Sequence, residues 1–194
     1  MFNYNLGMTD NRNSDSLHPD LNRVLITEAS IQARVKDLAT QISADYAGTK
    51  GLVLVGVLKG AFIFLADLVR HLTVPHRVDF MAVSSYGKEA ISKTVRIIMD
   101  LREPIDGSDV LIVEDILDTG NTMRYLYQIL EDRSPISLRT CVLTYKVRSK
   151  SPPNIPIDYL GFEIPDVWVV GYGLDYADKF RTLPFIAELK QSRI

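Results

Sequence analysis

The residues from Val110 to Thr122, VLIVEDILDTGNT, concentrate the groups in this chain that could do chemistry. An apolar run leads into two adjacent acids, Glu114 and Asp115. Asp118, Thr119, Gly120, Asn121 and Thr122 follow, and then a helical pattern begins. A parallel sheet binds ligands outside the carboxyl ends of its strands, which is where the two acids are expected to stand. A helix N-terminus offers free backbone N–H groups and a positive dipole end, and both attract phosphate. Gly120 lets an oxyanion approach the backbone, and Thr119 and Thr122 add hydroxyl donors. The acids are unsuited to touching phosphate. They suit sugar hydroxyls, or a Mg²⁺ that bridges to phosphate. The combination fits a phosphorylated sugar better than a bare phosphate.

Other chemistries share parts of this stretch and fail on the rest. Asp118-Thr119-Gly120 matches the aspartic protease triplet, but that reaction needs two facing carboxylates and no second triplet exists. Val113-Glu114-Asp115 resembles the start of a receiver domain, yet it comes late in the chain and Lys146 is followed by Val147 instead of proline. A phosphatase nucleophile would need acids two apart, whereas Asp115 and Asp118 are three apart. No P-loop motif is present, and Gly171-Tyr172-Gly173 lacks the third glycine of a dinucleotide fingerprint.

The elements that must position these groups can be read from periodicity. Ile31, Val35, Leu38, Ile42 and Tyr46 recur every three to four residues, with Thr27 as the expected cap and Gly48 as the expected end. Leu52 to Val57, Val110 to Val113 and Cys141 to Leu143 are continuous apolar runs, as in strands buried on both faces. Helical stretches follow the first two, with Phe62, Leu65, Val69 and Leu72 on one and Met123, Leu126 and Leu130 on the other. This alternation predicts a doubly wound α/β fold with a mainly parallel sheet flanked by helices. Tyr86 to Thr94 is a polar connection between strands, by default a plain surface loop and on the sharper reading a lid. Lys150 to Pro156 is a proline-rich turn, followed by short strands at Tyr159–Phe162 and Val167–Val170. Residues 1 to about 22 read as a mobile arm or a strapped-down tail, the mobile arm being favoured.

Composition sets outer bounds. The 194 residues are 46% hydrophobic, enough for one core. With 22 Lys+Arg against 24 Asp+Glu, the net charge of −2 argues against a nucleic-acid partner. A single cysteine, Cys141, excludes a disulfide framework and a Cys-based zinc site. No apolar run spans a bilayer and the N-terminus has no signal-peptide pattern, so a soluble cytoplasmic protein with no membrane partner is expected.

Taken together, the motifs resemble a known family. VLIVEDILDTGNT is similar to the loop of type I phosphoribosyltransferases that binds phosphoribosyl pyrophosphate (PRPP). Val57 to Phe62, Ser84 to Gly87, Gly161 to Asp166, and Val169 to Tyr176 with Phe180-Arg181 narrow the resemblance to the hypoxanthine-guanine phosphoribosyltransferase family. It runs from about Ile26 to Leu189. It implies one domain over residues 1–194 with a small hood formed by terminal segments. Residues 1 to about 22 would be a mobile or hood-associated arm, and residues from about 151 to 194 would contribute to a purine-binding hood. It also implies Mg²⁺, the small-molecule substrates PRPP and a 6-oxopurine, and a homodimer or homotetramer.

The resemblance also implies residue roles. Asp118 would accept the N7 proton of the purine as general base, although an Asp there would also serve as a helix N-cap. Glu114 and Asp115 would hold the ribose hydroxyls, directly or through Mg²⁺, and Asp118 through Thr122 would cradle the 5′-phosphate. Lys59, Gly60 and Arg181 would bind pyrophosphate, with a non-proline cis bond at the Lys59-Gly60 loop. Lys146 would donate to O6 of the base, Trp168 would stack on it, and Val169 would read its edge. Asp175 would line this purine region and hold Mg²⁺. Ser85 and Tyr86 would root the lid.

Overall fold

The computed structural model describes residues 17–86, 94–147 and 155–193. Two sheets organise them. The larger is built from β2 (Leu52–Leu58), β3 (His76–Tyr86), β4 (Thr94–Met99), β5 (Asp109–Leu117), β6 (Ser137–Lys146) and β7 (Tyr159–Ile164). Their spatial order is β4-β3-β2-β5-β6-β7, and every pairing is parallel except that of the edge strand β4. The smaller sheet is antiparallel. It joins β1 (Leu21–Ile26) to β9 (Ile186–Leu189) and β9 to β8 (Val169–Val170).

Helices cover both faces of the larger sheet. In α1 (Glu28–Asp45) the hydroxyl of Thr27 accepts a hydrogen bond from the Ser30 N–H at 3.2 Å, as a cap should. Its stripe of Ile31, Val35, Leu38 and Ile42 is fully buried. It packs with Phe64 and Leu65 of α2 (Phe62–His71) against Leu54, Leu111 and Val113 of the sheet. On the opposite face, Met123, Leu126 and Leu130 of α3 (Asn121–Glu131) pack against Val53, Val55 and Ile112. Each such side chain contributes roughly 1.5–3 kcal/mol by leaving water. The doubly wound expectation is borne out.

Three local expectations need correction. α1 ends at Asp45 and not at Gly48. The backbone leaves the helix at Tyr46, whose ring is buried beneath the Arg139 guanidinium, 5.3 Å from its centroid. Packing therefore ends this helix before the glycine can. In α2 the buried face is Phe64, Leu65 and Leu68, while Phe62 is 41% exposed. For residues 17 to 22 the favoured mobile arm gives way to the strapped-down tail. The Lys190 N–H donates to the Asp20 carbonyl at 2.9 Å, Arg193 pairs with the Asp20 carboxylate at 2.7 Å, and Leu21 enters β1. Residues 1–16, the lid stretch 87–93 and the turn segment 148–154 lie outside the described residues.

The strand order decides where a ligand can sit. From the central pair β2 and β5, the chain winds outward to β3 on one side and to β6 and β7 on the other. A crevice opens at such a reversal, beyond the carboxyl ends of the two strands. β2 delivers Lys59-Gly60 to that crevice and β5 delivers Asp115 to Asp118. The small sheet holds the segment from Trp168 to Arg181 beside it.

Candidate active site

The crevice is a cleft of about 730 Å³. Its floor comes from the two central strands. The Leu58–Lys59 peptide is cis, as the resemblance implied. Gly60 follows, and a Cβ there would collide with the Asp115 carboxylate. A Cβ on Gly173, whose φ is +103°, would collide with the Gly60 carbonyl. Only glycine lets these three segments come so close. Gly173 had no role assigned from the sequence, because its constraint is a contact with a residue 113 positions earlier (173 − 60).

β5 runs through the acids and ends at Leu117, so Glu114 and Asp115 are not its terminus. Successive strand residues point to opposite faces, and this separates the pair. Asp115 lines the cleft and Glu114 does not, although both are buried. Glu114 Oε2 has no hydrogen-bond partner among the described residues. Burial pushes the Glu114 carboxyl well above its ordinary range, and the neighbouring Asp115 charge adds to this. Burial also pushes Asp115 up to about 6, against backbone hydrogen bonds and Arg181 that favour its charged form.

Asp118 lines the cleft beyond the strand. The cap position of α3 belongs to Gly120, with φ of 77° and no side-chain cap bond, so the N-cap reading of Asp118 does not hold. Thr119 to Thr122 stand at the start of α3 and are not part of the cleft lining. The Asn121 side chain is occupied by Arg124, which donates to its Oδ1 at 3.0 Å.

Lys146 comes from the end of β6 and is buried. Buried lysines are rare without an anionic partner. Here Nζ lies 3.5 Å from Asp118 Oδ2 and 3.9 Å from Asp166 Oδ1. It also lies 6.0 Å from the centroid of the Trp168 ring. Trp168 is 44% exposed, so it is not a core residue. Tyr176 meets it edge-on at 5.8 Å, which steadies the indole. Val169 is buried in β8 beside it and also lines the cleft.

The remaining wall carries Asp175 and Arg181. Arg181 donates to the Gly173 carbonyl at 2.8 Å and pairs with Asp175 Oδ1 at 2.7 Å. Asp175 Oδ2 accepts the Asp178 N–H at 2.7 Å. Ser85 and Tyr86 stand in the last part of β3, but the lid they would root lies outside the described residues. Of the seven charged residues expected in one cleft, Lys59, Asp115, Asp118, Lys146, Asp175 and Arg181 line it together and Glu114 stands apart. Sequence reasoning assigned no role to Asp166 or Asp178. Asp166 lay within a quoted motif, whereas nothing in local periodicity marks Asp178.

Among the described residues no three His, Cys, Asp or Glu side chains gather into a metal cage. Mg²⁺ does not require one. It takes one or two carboxylates and completes its octahedron with phosphate oxygens and water. Asp115 and Asp175, both on the cleft wall, fit that kind of site.

The model of the phosphoribosyl transferase domain family matches residues 25–177. The chain is 48% identical over 172 residues to the hypoxanthine-guanine phosphoribosyltransferase of Dictyostelium discoideum, covering 87% of this chain and 95% of that one. The chain belongs to the hypoxanthine-guanine phosphoribosyltransferase family. It is also 48% identical over 168 residues to the hypoxanthine phosphoribosyltransferase of Escherichia coli strain K12, covering 86% and 94% of the two chains. A hypoxanthine phosphoribosyltransferase structure from Staphylococcus aureus superposes with a TM-score of 0.84 at 43% identity, covering 90% of this chain and 94% of that one. The family's fold agrees with the mainly parallel, helix-flanked sheet found here. No helix among the described residues is long and apolar enough to cross a membrane.

Proposed function

We propose that this phosphoribosyltransferase transfers the 5-phosphoribosyl group of PRPP to N9 of a 6-oxopurine, hypoxanthine or guanine. The products are the purine nucleoside monophosphate and pyrophosphate, a purine-salvage reaction. The observation that carries the assignment is the meeting of Asp118, Lys146 and Trp168 in one cleft at the strand reversal. A flat base lying against the exposed indole would present its O6 to Lys146 and its N7 to Asp118.

Each group then has a defined task. Asp118 accepts the N7 proton as N9 attacks C1′, and the bond from C1′ to the pyrophosphate oxygen breaks. Lys146 only donates, so it favours a 6-oxo over a 6-amino purine. Val169 offers backbone groups to the base edge. The loop from Asp118 into the start of α3 at Thr122 receives the 5′-phosphate, which suits the uncapped N-terminus of that helix. Asp115 holds ribose hydroxyls, with Glu114 behind it. Lys59, Gly60 and Arg181 hold the departing pyrophosphate. Mg²⁺, held by Asp115 and Asp175 with Glu114 in support, would neutralise pyrophosphate charge. Ser85 and Tyr86 would anchor a lid that keeps water from the oxocarbenium-like centre.

The same proposal includes a cytoplasmic site of action and a homodimer or homotetramer. Oligomeric state is a studied property of the related Trypanosoma cruzi enzyme, a structure with a TM-score of 0.84 at 42% identity, covering 91% of this chain and 95% of that one. The test is turnover with Mg²⁺-PRPP and hypoxanthine, guanine, xanthine or adenine in turn. Hypoxanthine and guanine are expected to react and adenine to fail. Absence of turnover with every oxopurine overturns the proposal, and efficient use of adenine overturns the role of Lys146.

A further inference from the structure

One carboxylate oxygen joins the two cations expected to hold pyrophosphate. Asp178 Oδ1 lies 3.2 Å from Lys59 Nζ and 3.1 Å from Arg181 Nη2. Lys59 comes from the turn after β2 and Arg181 from the hood segment, so this oxygen bridges two walls of the cleft. The bridge is built from an unusual backbone. Ala177 and Asp178 have φ of 51° and 59°, the left-handed region that non-glycine residues rarely enter. The Asp178 N–H is fastened to Asp175 Oδ2 at 2.7 Å. The carboxylate itself is 73% exposed, so water screens both ion pairs.

We propose that Asp178 is an internal competitor for pyrophosphate. Its carboxylate supplies a negative oxygen to Lys59 and Arg181 in the ligand-free protein and must swing away when the pyrophosphate group of PRPP arrives. This rests on the reading of Lys59 and Arg181 as the pyrophosphate cations. An oxygen that touches both cations occupies what a pyrophosphate oxygen would occupy. Once displaced, the carboxylate remains near a polyanion and repels it. Asp178 thus weakens the binding of PRPP and of product pyrophosphate alike. It is a positioning residue and does not touch the reacting atoms.

The test is titration of the purified full-length protein with pyrophosphate and Mg²⁺, read by calorimetry, for wild type, Asp178→Asn and Asp178→Gly. Asn tolerates left-handed backbone and Gly prefers it, so the pair protects the result against a local misfold. Both variants are expected to bind pyrophosphate about two- to tenfold more tightly, the range two exposed ion pairs allow. The gain should shrink as salt is raised. The KM for hypoxanthine should stay constant while the KM for PRPP falls. Equal or weaker pyrophosphate binding in both variants overturns the proposal, and so does a gain that salt leaves untouched. The titration does not depend on turnover. A wild type that binds pyrophosphate without transferring phosphoribosyl would defeat the proposed reaction and leave this inference standing.

Discussion

Lys59, Asp115 and Asp118 come from two neighbouring parallel strands and the turns that follow them. Trp168, Asp175 and Arg181, across the cleft, come from a segment tied to a small antiparallel sheet. The first wall is continuous with two apolar cores and rests on buried Val113 and Val57. The second shares Val169, Tyr172 and Leu174 with the main core and adds the small cluster Leu21, Val170, Ala187 and Leu189, joined across 168 positions of sequence (189 − 21). A deeply anchored wall suits a reaction centre, where a displacement of an ångström is costly. A wall built from short strands and turns suits binding and release, because local opening there needs less energy. The comparison assigns bond-making to the strand ends, which also bring Lys59 and Lys146 to pyrophosphate and base, and assigns the stacking of Trp168 and the grip of Arg181 to the hood side.

Substitutions on each wall should then differ in kind. The largest effect is expected at Asp118. Asp118→Asn keeps the shape but loses the proton acceptor. Turnover should fall by about 10²–10⁴-fold, the usual span for general acid–base catalysis, with the Kd for Mg²⁺-PRPP little changed. Single-turnover kinetics beside a PRPP titration would check this. Near-normal turnover would remove the proton-acceptor role, and a parallel loss of PRPP affinity would shift Asp118 to substrate binding.

Trp168 should give a smaller effect, in binding and not in rate. Stacking on an aromatic side chain is worth about 1–3 kcal/mol per base. Trp168→Ala is therefore expected to raise the KM for hypoxanthine by roughly tenfold or more while leaving pyrophosphate affinity in place. Trp168→Phe should restore most of the loss, because the ring face is what the base needs. If turnover falls while the KM for hypoxanthine holds, the division between the walls is wrong.

The two walls were also unequally legible in the sequence. Val110 to Thr122 could be read because strand, acids and helix start lie within one stretch. β1 could not, because Leu21 to Ile26 shows no clean alternation and its partner β9 lies at the far end of the chain. Asp178 was invisible for the same reason, since its meaning depends on Lys59, 119 positions away. Glu114 shows a different failure. Adjacent acids look equivalent in a sequence, yet the period of two in a strand places only one of them toward the cleft. The resemblance supplied the hood-side residues that periodicity could not, and Asp166 beside Lys146 emerged only from the geometry.

The anchored wall stores a conflict that pH should expose, the smallest of the three effects. Glu114 and Asp115 are buried at successive positions of β5, and both carboxyls are held above their ordinary range, Asp115 at about 6. An unfolded chain would titrate them near 4. Between those values the folded protein binds more protons than the unfolded one. The pair therefore adds stability at low pH, and that contribution is lost as pH rises through about 6. Asp115→Asn removes one charge and relieves Glu114. In the absence of ligand the variant should melt a few degrees above wild type at pH 8, and the gap should narrow toward pH 5. Binding of Mg²⁺-PRPP needs the charged acids, so it should stabilise wild type more at pH 8 than at pH 5 and stabilise the variant less at both. Thermal melts across pH, with and without Mg²⁺-PRPP, separate these contributions. A variant whose melting curve follows wild type at every pH would mean that the strand end is relaxed. The cost of burying two acids would then have to be offset elsewhere, and the contrast between a strained catalytic wall and the hood opposite it would fail.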